Sequence, residues 1–406
     1  MSPSSRSTHS RRSSLDRDGV ISLTQRLVRA PSVNQPELGR SEASAVAVVV
    51  EQAAEFGWEV QLEEVAPGRP NAIVRIDGGL PGPCLLFEGH TDVVTEGDAT
   101  AWTYDPFGAE IEDGKLYGRG SADMKGGVAA FMHAARAVEL GGPFPGTVML
   151  AILCDEEEMM IGVHDFVAKG HAEGVAGAIV CEPEGGEVCN TQKGAIRLRI
   201  DITGTMAHGA MPHQGRNPIS AASSFIAQAQ QIEADLQRAH GDHPQLGLAY
   251  LTPTHISAGT LPQLNVIPGE SILTYDIRTI PGIDHAVLLQ RLRDTATEIE
   301  EALGVGITFT IIVDRPPTDT PIDHPVVTAV AQAHAAVTGE EPVYGGVPGT
   351  TDGTILWRDA GLPVVVYGPG GKWIAHQRDE FVEVDELVRC AEVYVEAIVR
   401  FLEIPS

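Results

Sequence analysis

The sequence has little of what marks membrane, secreted and nucleic-acid-binding proteins. None of its apolar runs approaches the roughly 18 residues that a membrane-spanning helix needs. Its five cysteines are odd in number and scattered, which argues against a disulfide framework and against a paired metal-binding spacing. Only 28 basic residues stand against 55 acidic ones, and the formal net charge of −27 disfavours nucleic acid and anionic membranes as partners. We therefore expect a soluble protein of the reducing cytoplasm.

The chain begins with a segment that differs from the rest in composition. Residues 1–18 are rich in serine and arginine and lack apolar periodicity, which predicts a disordered tail. The pair Arg11-Arg12 is compatible with a twin-arginine export signal, but no hydrophobic segment follows it. The remaining length exceeds that of one average domain. We expect the first folded domain to begin at residue 19.

An acidic run follows directly on an apolar segment near the middle of the chain. The apolar segment is 148–153, and the acidic run is Asp155-Glu156-Glu157-Glu158. This order predicts a buried strand that ends in a cleft lined by carboxylates. Carboxylates at contact distance repel one another and raise each other's pKa unless a cation neutralises them. The run therefore predicts a cation site, with further ligands elsewhere in the chain.

Strand and helix patterns alternate through most of the sequence. Strands are expected at 71–76, 84–88, 148–153, 178–181 and 363–367, with helical patterns between them. This alternation predicts an α/β domain, with a mostly parallel sheet covered by helices, formed by residues 19–193 and 315–406. The insertion at 194–314 has the pattern β-α-β-β-α-β, which is typical of a separate ferredoxin-like α+β domain with an open sheet edge.

Candidate metal ligands follow four of the predicted strands, and another opens a helix. They are His90 with Asp92, Glu156 with Glu157, Glu182, His376, and Asp123 at the helix start. The carboxyl ends of neighbouring parallel strands meet in one crevice, so we expect these side chains to converge. Two imidazoles and three carboxylates suit two divalent ions of the zinc type, with one carboxylate bridging.

The same residues lie in sequence runs that resemble the motifs of one family. The runs are 89–94, 118–127, 155–157 with Gly162, Glu182-Pro183, and His376 before Asp379-Glu380-Phe381. They resemble the co-catalytic zinc metallopeptidase family of acetylornithine deacetylase, succinyl-diaminopimelate desuccinylase, glutamate carboxypeptidase and aminoacylase. The resemblance runs in order from about residue 20 to the C-terminus. It implies a zinc-aminopeptidase-like catalytic domain with an inserted lid and dimerisation domain.

The resemblance also implies a dinuclear site. Its ligands would be His90, Asp123 and Glu182 on one ion, and Asp123, Glu157 and His376 on the other, with Asp123 bridging. The carboxylate of Asp92 would orient the His90 ring, and Glu156 would be the general base for attack by a zinc-bridging hydroxide. The implied cofactor is two divalent ions per subunit, Zn²⁺ first, with Co²⁺ and Mn²⁺ as alternatives.

Three positions in the insertion and one after it match substrate-binding motifs of the family. His208, in the run 204–212, would stabilise an oxyanion, often across a dimer interface. Asn265 and Arg278 would bind the polar end of the substrate, since a guanidinium is the natural partner of a carboxylate. Thr351, in the loop 349–352, would line the substrate side. We expect a small substrate that carries a carboxylate, and a homodimer formed through the lid.

Several activities are compatible with such a site. The main hypothesis is an N-acyl-amino-acid deacylase that cleaves a C–N amide bond. A dipeptidase or carboxypeptidase is the nearest alternative, and hydrolytic deamination of an unusual amine is a more remote one. A metal-binding module without catalysis is a fourth, but it would need neither the base Glu156 nor the oxyanion donor His208. The chain departs from the family pattern at 158–160 and 184–186, so substrate identity stays open.

Overall fold

The computed structural model describes residues 11–404, which form two compact units. The second unit comprises Thr191–Asp319 and Gly346–Thr350, and the first comprises the rest of the described chain. The sequence pattern places the corresponding insertion at 194–314. Among residues 11–404, no helix is both long and apolar enough to cross a membrane.

The elements are numbered in chain order. The helices are α1 (Arg17–Val28), α2 (Ala43–Phe56), α3 (Gly126–Leu140), α4 (Ile161–Ala168), α5 (Pro218–His240), α6 (His285–Leu303), α7 (Pro325–Thr338), α8 (Asp352–Ala360) and α9 (Val384–Phe401). The strands are β1 (Val60–Ala66), β2 (Arg69–Asp77), β3 (Gly79–His90), β4 (Ile111–Glu112), β5 (Lys115–Tyr117), β6 (Phe144–Leu153), β7 (Val175–Val180), β8 (Val188–Gln192), β9 (Gly194–Thr203), β10 (Ala207–His208), β11 (Tyr250–Ala258), β12 (Val266–Ile267), β13 (Glu270–Thr279), β14 (Gly306–Arg315), β15 (Thr318–Asp319), β16 (Tyr344–Val347), β17 (Val364–Val366) and β18 (Phe381–Glu383).

The start of the described chain is ordered, although its composition predicts a disordered tail over residues 1–18. Arg11 is only 5% exposed, and its guanidinium donates to the carbonyl oxygens of Val138 and Gly142 at the end of α3. Leu15 is buried in the core of the first unit. An arginine at a helix C-terminus satisfies carbonyls that have no partner within the helix. The prediction is therefore wrong for residues 11–18, and residues 1–10 lie outside the described residues.

The sheet of the first unit is parallel at its centre and antiparallel at its flanks. Its strand order is β1-β2-β6-β3-β7-β17-β8, in which β6, β3, β7 and β17 are parallel neighbours. Residues 148–153 of β6 are all 0% exposed, so side chains on both faces of this strand are covered. That explains its continuous apolar sequence, which is typical of buried parallel strands. Helices α2, α3, α4, α7 and α8 pack against the strands of this sheet.

The second unit has the element order β-α-β-β-α-β. Its antiparallel sheet has the strand order β11-β13-β9-β14. Alternate residues of β9 are apolar and buried, from Ile196 to Ile202, and they pack in one core with residues of α5 and α6. The edge strand β11 is exposed along almost its whole length, with Leu251 as its buried residue.

Candidate active site

Four parallel strands of the first unit deliver polar residues to one edge of the sheet. His90 ends β3, Glu156 and Glu157 follow β6, Glu182 follows β7, and His376 lies in the loop after β17. Since β6, β3, β7 and β17 are neighbours that point in the same direction, these residues meet at the carboxyl edge of the sheet. The structure thus brings together the side chains that the strand pattern predicts to converge.

The first cluster is centred on the ring of His90. Its Nε2 lies 3.3 Å from Oδ1 of Asp123, 3.3 Å from Oε1 of Glu182 and 4.0 Å from Oε2 of Glu156. Nδ1 of His90 lies 2.9 Å from the backbone carbonyl oxygen of Asp92, which can only accept a hydrogen bond, so Nδ1 carries the proton. In the neutral ring this tautomer places the lone pair of Nε2 on the side of the carboxylates, as a metal ligand requires.

The second cluster is centred on His376. Its Nε2 lies 3.3 Å from Oδ2 of Asp123 and 3.1 Å from Oε1 of Glu157. Asp123 therefore offers one carboxylate oxygen to each imidazole. This is the arrangement expected of a carboxylate that bridges two cations.

The electrostatics of the two clusters fit divalent cations. Burial raises the pKa of Glu182, Glu156 and Glu157, and the charges of neighbouring carboxylates raise it further. Hydrogen bonds with Asp123 and Glu157 raise the pKa of His376 to about 10. Nε2 of His90 is buried and has no hydrogen-bond partner among the described residues. An orphaned ring nitrogen among buried carboxylates, with this mixed N and O donor set, suits ions of the zinc type.

Asp92 has a different main contact from the one that the resemblance implies. Its Oδ1 is 3.5 Å from Nδ1 of His90, farther than the Asp92 backbone carbonyl is. Its carboxylate instead accepts hydrogen bonds from the backbone N–H groups of Glu156, at 3.2 Å, and Glu157, at 3.1 Å. Asp92 therefore holds the turn that presents these two glutamates, and its backbone orients the ring.

Glu380 supports Asp123 and is a residue whose role the sequence analysis missed. Its fully buried carboxylate accepts from the backbone N–H of Gly120 at 3.0 Å, and from those of Ala122 and Asp123 at 3.1 Å each. It also pairs with Arg119 at 2.5 Å. Burial raises the pKa of Glu380 to about 7, against the effect of Arg119. The run Asp379-Glu380-Phe381 draws attention to this residue, but nothing in the sequence indicates what it contacts.

Lys125 anchors the other end of the loop that carries Asp123. Its side chain is fully buried, and Nζ donates to the carbonyl oxygens of Leu27 and Ala30, each at 2.9 Å, at the C-terminal end of α1. Carbonyls at a helix C-terminus carry partial negative charge, which favours a cation there. Burial lowers the pKa of Lys125 to about 7.

Three of the predicted substrate-binding residues lie in the second unit. His208 ends β10 and Asn265 directly precedes β12. These two strands pair, with His208 opposite Val266, and the N–H of Gly209 donates to the Asn265 carbonyl at 2.7 Å. Nδ1 of His208 accepts from the backbone N–H of Ala210 at 3.1 Å, so Nε2 carries the N–H of the ring. Arg278 on β13 binds the carboxylate of Asp276 through Nε at 2.6 Å and Nη2 at 3.1 Å.

Thr351 lies in the first unit, where it caps a helix. It is 4% exposed and precedes α8, and its hydroxyl accepts from the N–H of Gly353 at 3.1 Å. The hydroxyl therefore satisfies one backbone donor at the helix start.

Comparisons with known proteins agree on one family. The model of Peptidase family M20/M25/M40 matches residues 86–400. A succinyl-diaminopimelate desuccinylase of Methylobacterium radiotolerans is 34% identical over 398 residues, covering 93% of this chain and 95% of its own. The aminopeptidase PepT of Bacillus cereus has a similar structure, with a TM-score of 0.78 at 20% identity and coverage of 96% of this chain and 100% of its own.

A second solved structure has a similar fold. It is the YxeP protein of Bacillus subtilis, described as a dinuclear metal binding peptidase, with a TM-score of 0.71 at 18% identity and coverage of 95% of this chain and 98% of its own. That description is of the YxeP protein, and a likeness at this identity shows the fold alone. The family model matches most of the chain, and the desuccinylase of Methylobacterium radiotolerans is 34% identical to it. The chain therefore belongs to Peptidase family M20/M25/M40 and is a metal-dependent amidohydrolase.

Proposed function

We propose that this protein removes the acyl group from an N-acyl amino acid by hydrolysing its C–N amide bond, and that the substrate is a succinylated diamino acid or a close analogue. The observation that carries the proposal is the bridging position of Asp123 between His90 and His376, at 3.3 Å from each imidazole. The acyl preference is supported by the relative named succinyl-diaminopimelate desuccinylase.

The proposed cofactor is a pair of Zn²⁺ ions, with Co²⁺ or Mn²⁺ as alternatives. His90, Asp123 and Glu182 would hold one ion, and Asp123, Glu157 and His376 the other. Bound divalent ions lower the pKa of a water molecule to near 7 and polarise the amide carbonyl.

Glu156 has the properties of the general base. It is 8% exposed and lies beside the first cluster, with Oε2 4.0 Å from Nε2 of His90. Burial raises its pKa, which brings its proton affinity closer to that of a water molecule activated at neutral pH. Glu156 would take the proton from the attacking water and return it to the leaving amine nitrogen, so that the amine leaves in a neutral form.

The second unit supplies the proposed substrate contacts. His208 would donate from Nε2 to the oxyanion that forms on the amide carbonyl, because its Nδ1 already accepts a backbone hydrogen bond. Arg278 and Asn265 would bind the carboxylate of the substrate, and a role of Thr351 in lining the substrate side stays a prediction. Arg278 is held by Asp276 in the structure, so a substrate carboxylate would compete with Asp276 for the guanidinium.

We further propose a homodimer formed through the second unit. The edge strand β11 exposes backbone donors and acceptors, and it carries the exposed side chains of Tyr250 and Ile256. An exposed edge of this kind favours pairing with another strand. The same edge on two copies would form a two-fold interface, in which His208 of each subunit completes the site of the other. A cytoplasmic location stays a prediction.

Dipeptide hydrolysis is the second candidate function. It is the nearest alternative that the sequence motifs leave open, and the structural similarity to the aminopeptidase PepT is a likeness of fold alone. A direct comparison separates the two candidates. Purified protein loaded with Zn²⁺ is assayed with N-succinyl-diaminopimelate, N-acetylornithine and a set of dipeptides, with chelator-treated protein as the control. We expect the highest kcat/KM for the succinylated substrate, whereas faster dipeptide cleavage would replace the deacylase proposal.

A further inference from the structure

A buried network of charged and amide side chains lies behind the turn that carries Glu156 and Glu157. Its members are Asn34, Glu42, Arg69, Asp92 and Asp155. The side chains of Glu42, Arg69 and Asp155 are 0%, 7% and 3% exposed. The sequence pattern draws attention to Asp155 alone of these three, as part of the acidic run, and predicts no ligand or catalytic role for any of them.

Arg69 is the one positively charged member of this network, and it pairs with two of its carboxylates. Its Nε lies 3.0 Å from both carboxylate oxygens of Glu42, and its Nη2 lies 2.5 Å from Oε1 of Glu42. The same Nη2 is 2.8 Å from Oδ1 of Asp155. A planar guanidinium can hold two carboxylates at fixed angles, which an ammonium group cannot do.

The network fixes the backbone of the turn through Asp155. This residue has φ of 66°, in the left-handed region that non-glycine residues seldom adopt. Its N–H donates to Glu42 at 3.2 Å, and its carboxylate accepts from the N–H of Ile161 at 3.2 Å and from Nδ2 of Asn34 at 2.9 Å. Asp155 is therefore held at its amide and at both carboxylate oxygens.

Asn34 connects this clamp to the residues of the site. Its Nδ2 also lies 3.3 Å from Oδ2 of Asp92, the carboxylate that accepts from the N–H groups of Glu156 and Glu157. A chain of contacts thus runs from Arg69 through Asp155 and Asn34 to Asp92. The backbone N–H of Asp155 donates to Glu42, and those of Glu156 and Glu157 donate to Asp92. Both acceptors are buried carboxylates that belong to the network.

We propose that Arg69 is a positioning residue for the reaction: by holding Glu42 and Asp155 together, it sets the strained turn that places Glu156 beside the first cluster and Glu157 in the second. The inference rests on the proposed roles of Glu156 and Glu157. Arg69 touches neither cluster itself, so it acts through the geometry of the turn. Residues that orient metal ligands in this way typically affect metal affinity or activity by about 10- to 100-fold.

The test compares Arg69→Lys with Arg75→Lys, a matched change of an exposed arginine on the same strand, β2. Arg69→Lys keeps the charge and loses the planar fork. We expect its kcat to fall by about 10- to 100-fold with little change in KM, and the visible absorption spectrum of its Co²⁺-loaded form to shift. Arg75→Lys is expected to match the wild-type protein in both. Asn34→Ala, a milder change that leaves the ion pairs in place, is expected to alter the Co²⁺ spectrum in the same sense.

The outcomes separate this inference from the proposed function. The Co²⁺ spectrum and the Co²⁺ dissociation constant report on Glu157 without any substrate, so they test the turn even if the deacylase proposal fails. A wild-type spectrum and kcat in folded Arg69→Lys protein would overturn the inference. The inference would also be overturned if the lost activity were fully accounted for by the fraction of unfolded protein, measured by circular dichroism. If Arg69→Lys does not fold, an unchanged Co²⁺ spectrum in Asn34→Ala overturns it.

Discussion

Oε1 of Glu157 lies 3.1 Å from Nε2 of His376, a residue 219 positions later in the sequence. The preceding residue, Glu156, lies next to a different imidazole, that of His90. Two adjacent glutamates thus face two different clusters, and their substitutions should have different consequences.

Glu157→Gln is expected to deplete one of two metal ions, because an amide oxygen is a weaker ligand than a carboxylate. Glu156→Gln is expected to keep both ions and to lower kcat by about 10²–10⁴-fold, the usual contribution of general acid–base catalysis. Metal analysis and steady-state kinetics measure both effects. Glu158→Gln is the control, since this neighbour is exposed, and it should leave metal content and kcat unchanged. The reverse pattern of metal content would exchange the roles of Glu156 and Glu157.

The proposed dimer predicts recovery of activity in mixtures of two inactive variants. Glu156→Gln protein is mixed with His208→Ala protein under conditions in which subunits exchange. If His208 acts on the partner's site, each heterodimer has one site with both defects and one site with neither, so part of the activity returns. Mixing Glu156→Gln with Glu157→Gln is the control and should recover nothing. An active monomer by light scattering, or no recovery despite proven exchange, would contradict the shared site.

The metal-free protein is expected to lose stability as the pH rises. In the folded protein the pKa of His376 is raised from 6.5 to about 10 by hydrogen bonds with Asp123 and Glu157. A group whose pKa is higher in the folded than in the unfolded protein contributes its full stabilisation at pH values below the unfolded pKa. This contribution is lost as the pH rises through the folded pKa. The pKa of Glu182, raised by burial, acts in the same direction.

A cation in the clusters takes the place of these protons, so the gain in Tm on adding Zn²⁺ to chelator-treated protein should grow from pH 6 to pH 9. Thermal melts with and without Zn²⁺ measure it. His376→Gln is expected to reduce this growth, whereas His240→Gln, at an exposed position at the end of α5, should not. A gain that is constant across this range would refute the prediction.

Glu380→Ala is expected to weaken metal binding by about 10- to 100-fold, although Glu380 binds no metal itself. The substitution removes the acceptor of the N–H groups of Gly120, Ala122 and Asp123 and leaves Arg119 without its buried partner. Titration with Zn²⁺ and a competing chelator measures the affinity. Glu383→Ala, at the exposed end of β18, the strand that begins directly after Glu380, is the control. Equal affinities in the two variants would show that Glu380 does not position Asp123.

The sequence predicts elements best where their ends carry local signals. Helix α6 spans His285–Leu303, and both of its ends carry such signals: Asp284 caps its first turn, and Gly304 adopts the left-handed conformation after its last. Strand β11 starts only at Tyr250, because Gly247, three residues earlier, has φ of 69° and belongs to a turn that pairs with His243. The sequence indicates that a strand is present here, but it does not indicate where the preceding turn ends and the strand begins.

The convergence of the candidate ligands could be predicted, because parallel strands place their carboxyl ends at one edge whatever the distance along the chain. The contacts of Arg69 and Glu380 could not. Both are buried polar contacts between distant segments, and no helical or strand periodicity connects the residues involved. Arg69 and Glu42 are 27 residues apart, and Asp123 and Glu380 are 257 residues apart. The pair Arg278 and Asp276 is an intermediate case, since residues two apart on a strand share a face.

The hydrogen bonds of Lys125 to carbonyl oxygens at the C-terminal end of α1 limit how far this protein can be shortened. The family match begins at residue 86, which invites removal of everything before it. Such a chain would lose Leu27 and Ala30, the two acceptors of an ammonium group that is fully buried. A buried cation without acceptors is costly, so the loop around Asp123 would have to rearrange. We therefore expect the smallest chain with an intact Asp123 loop to include helix α1, although that helix offers no predicted ligand.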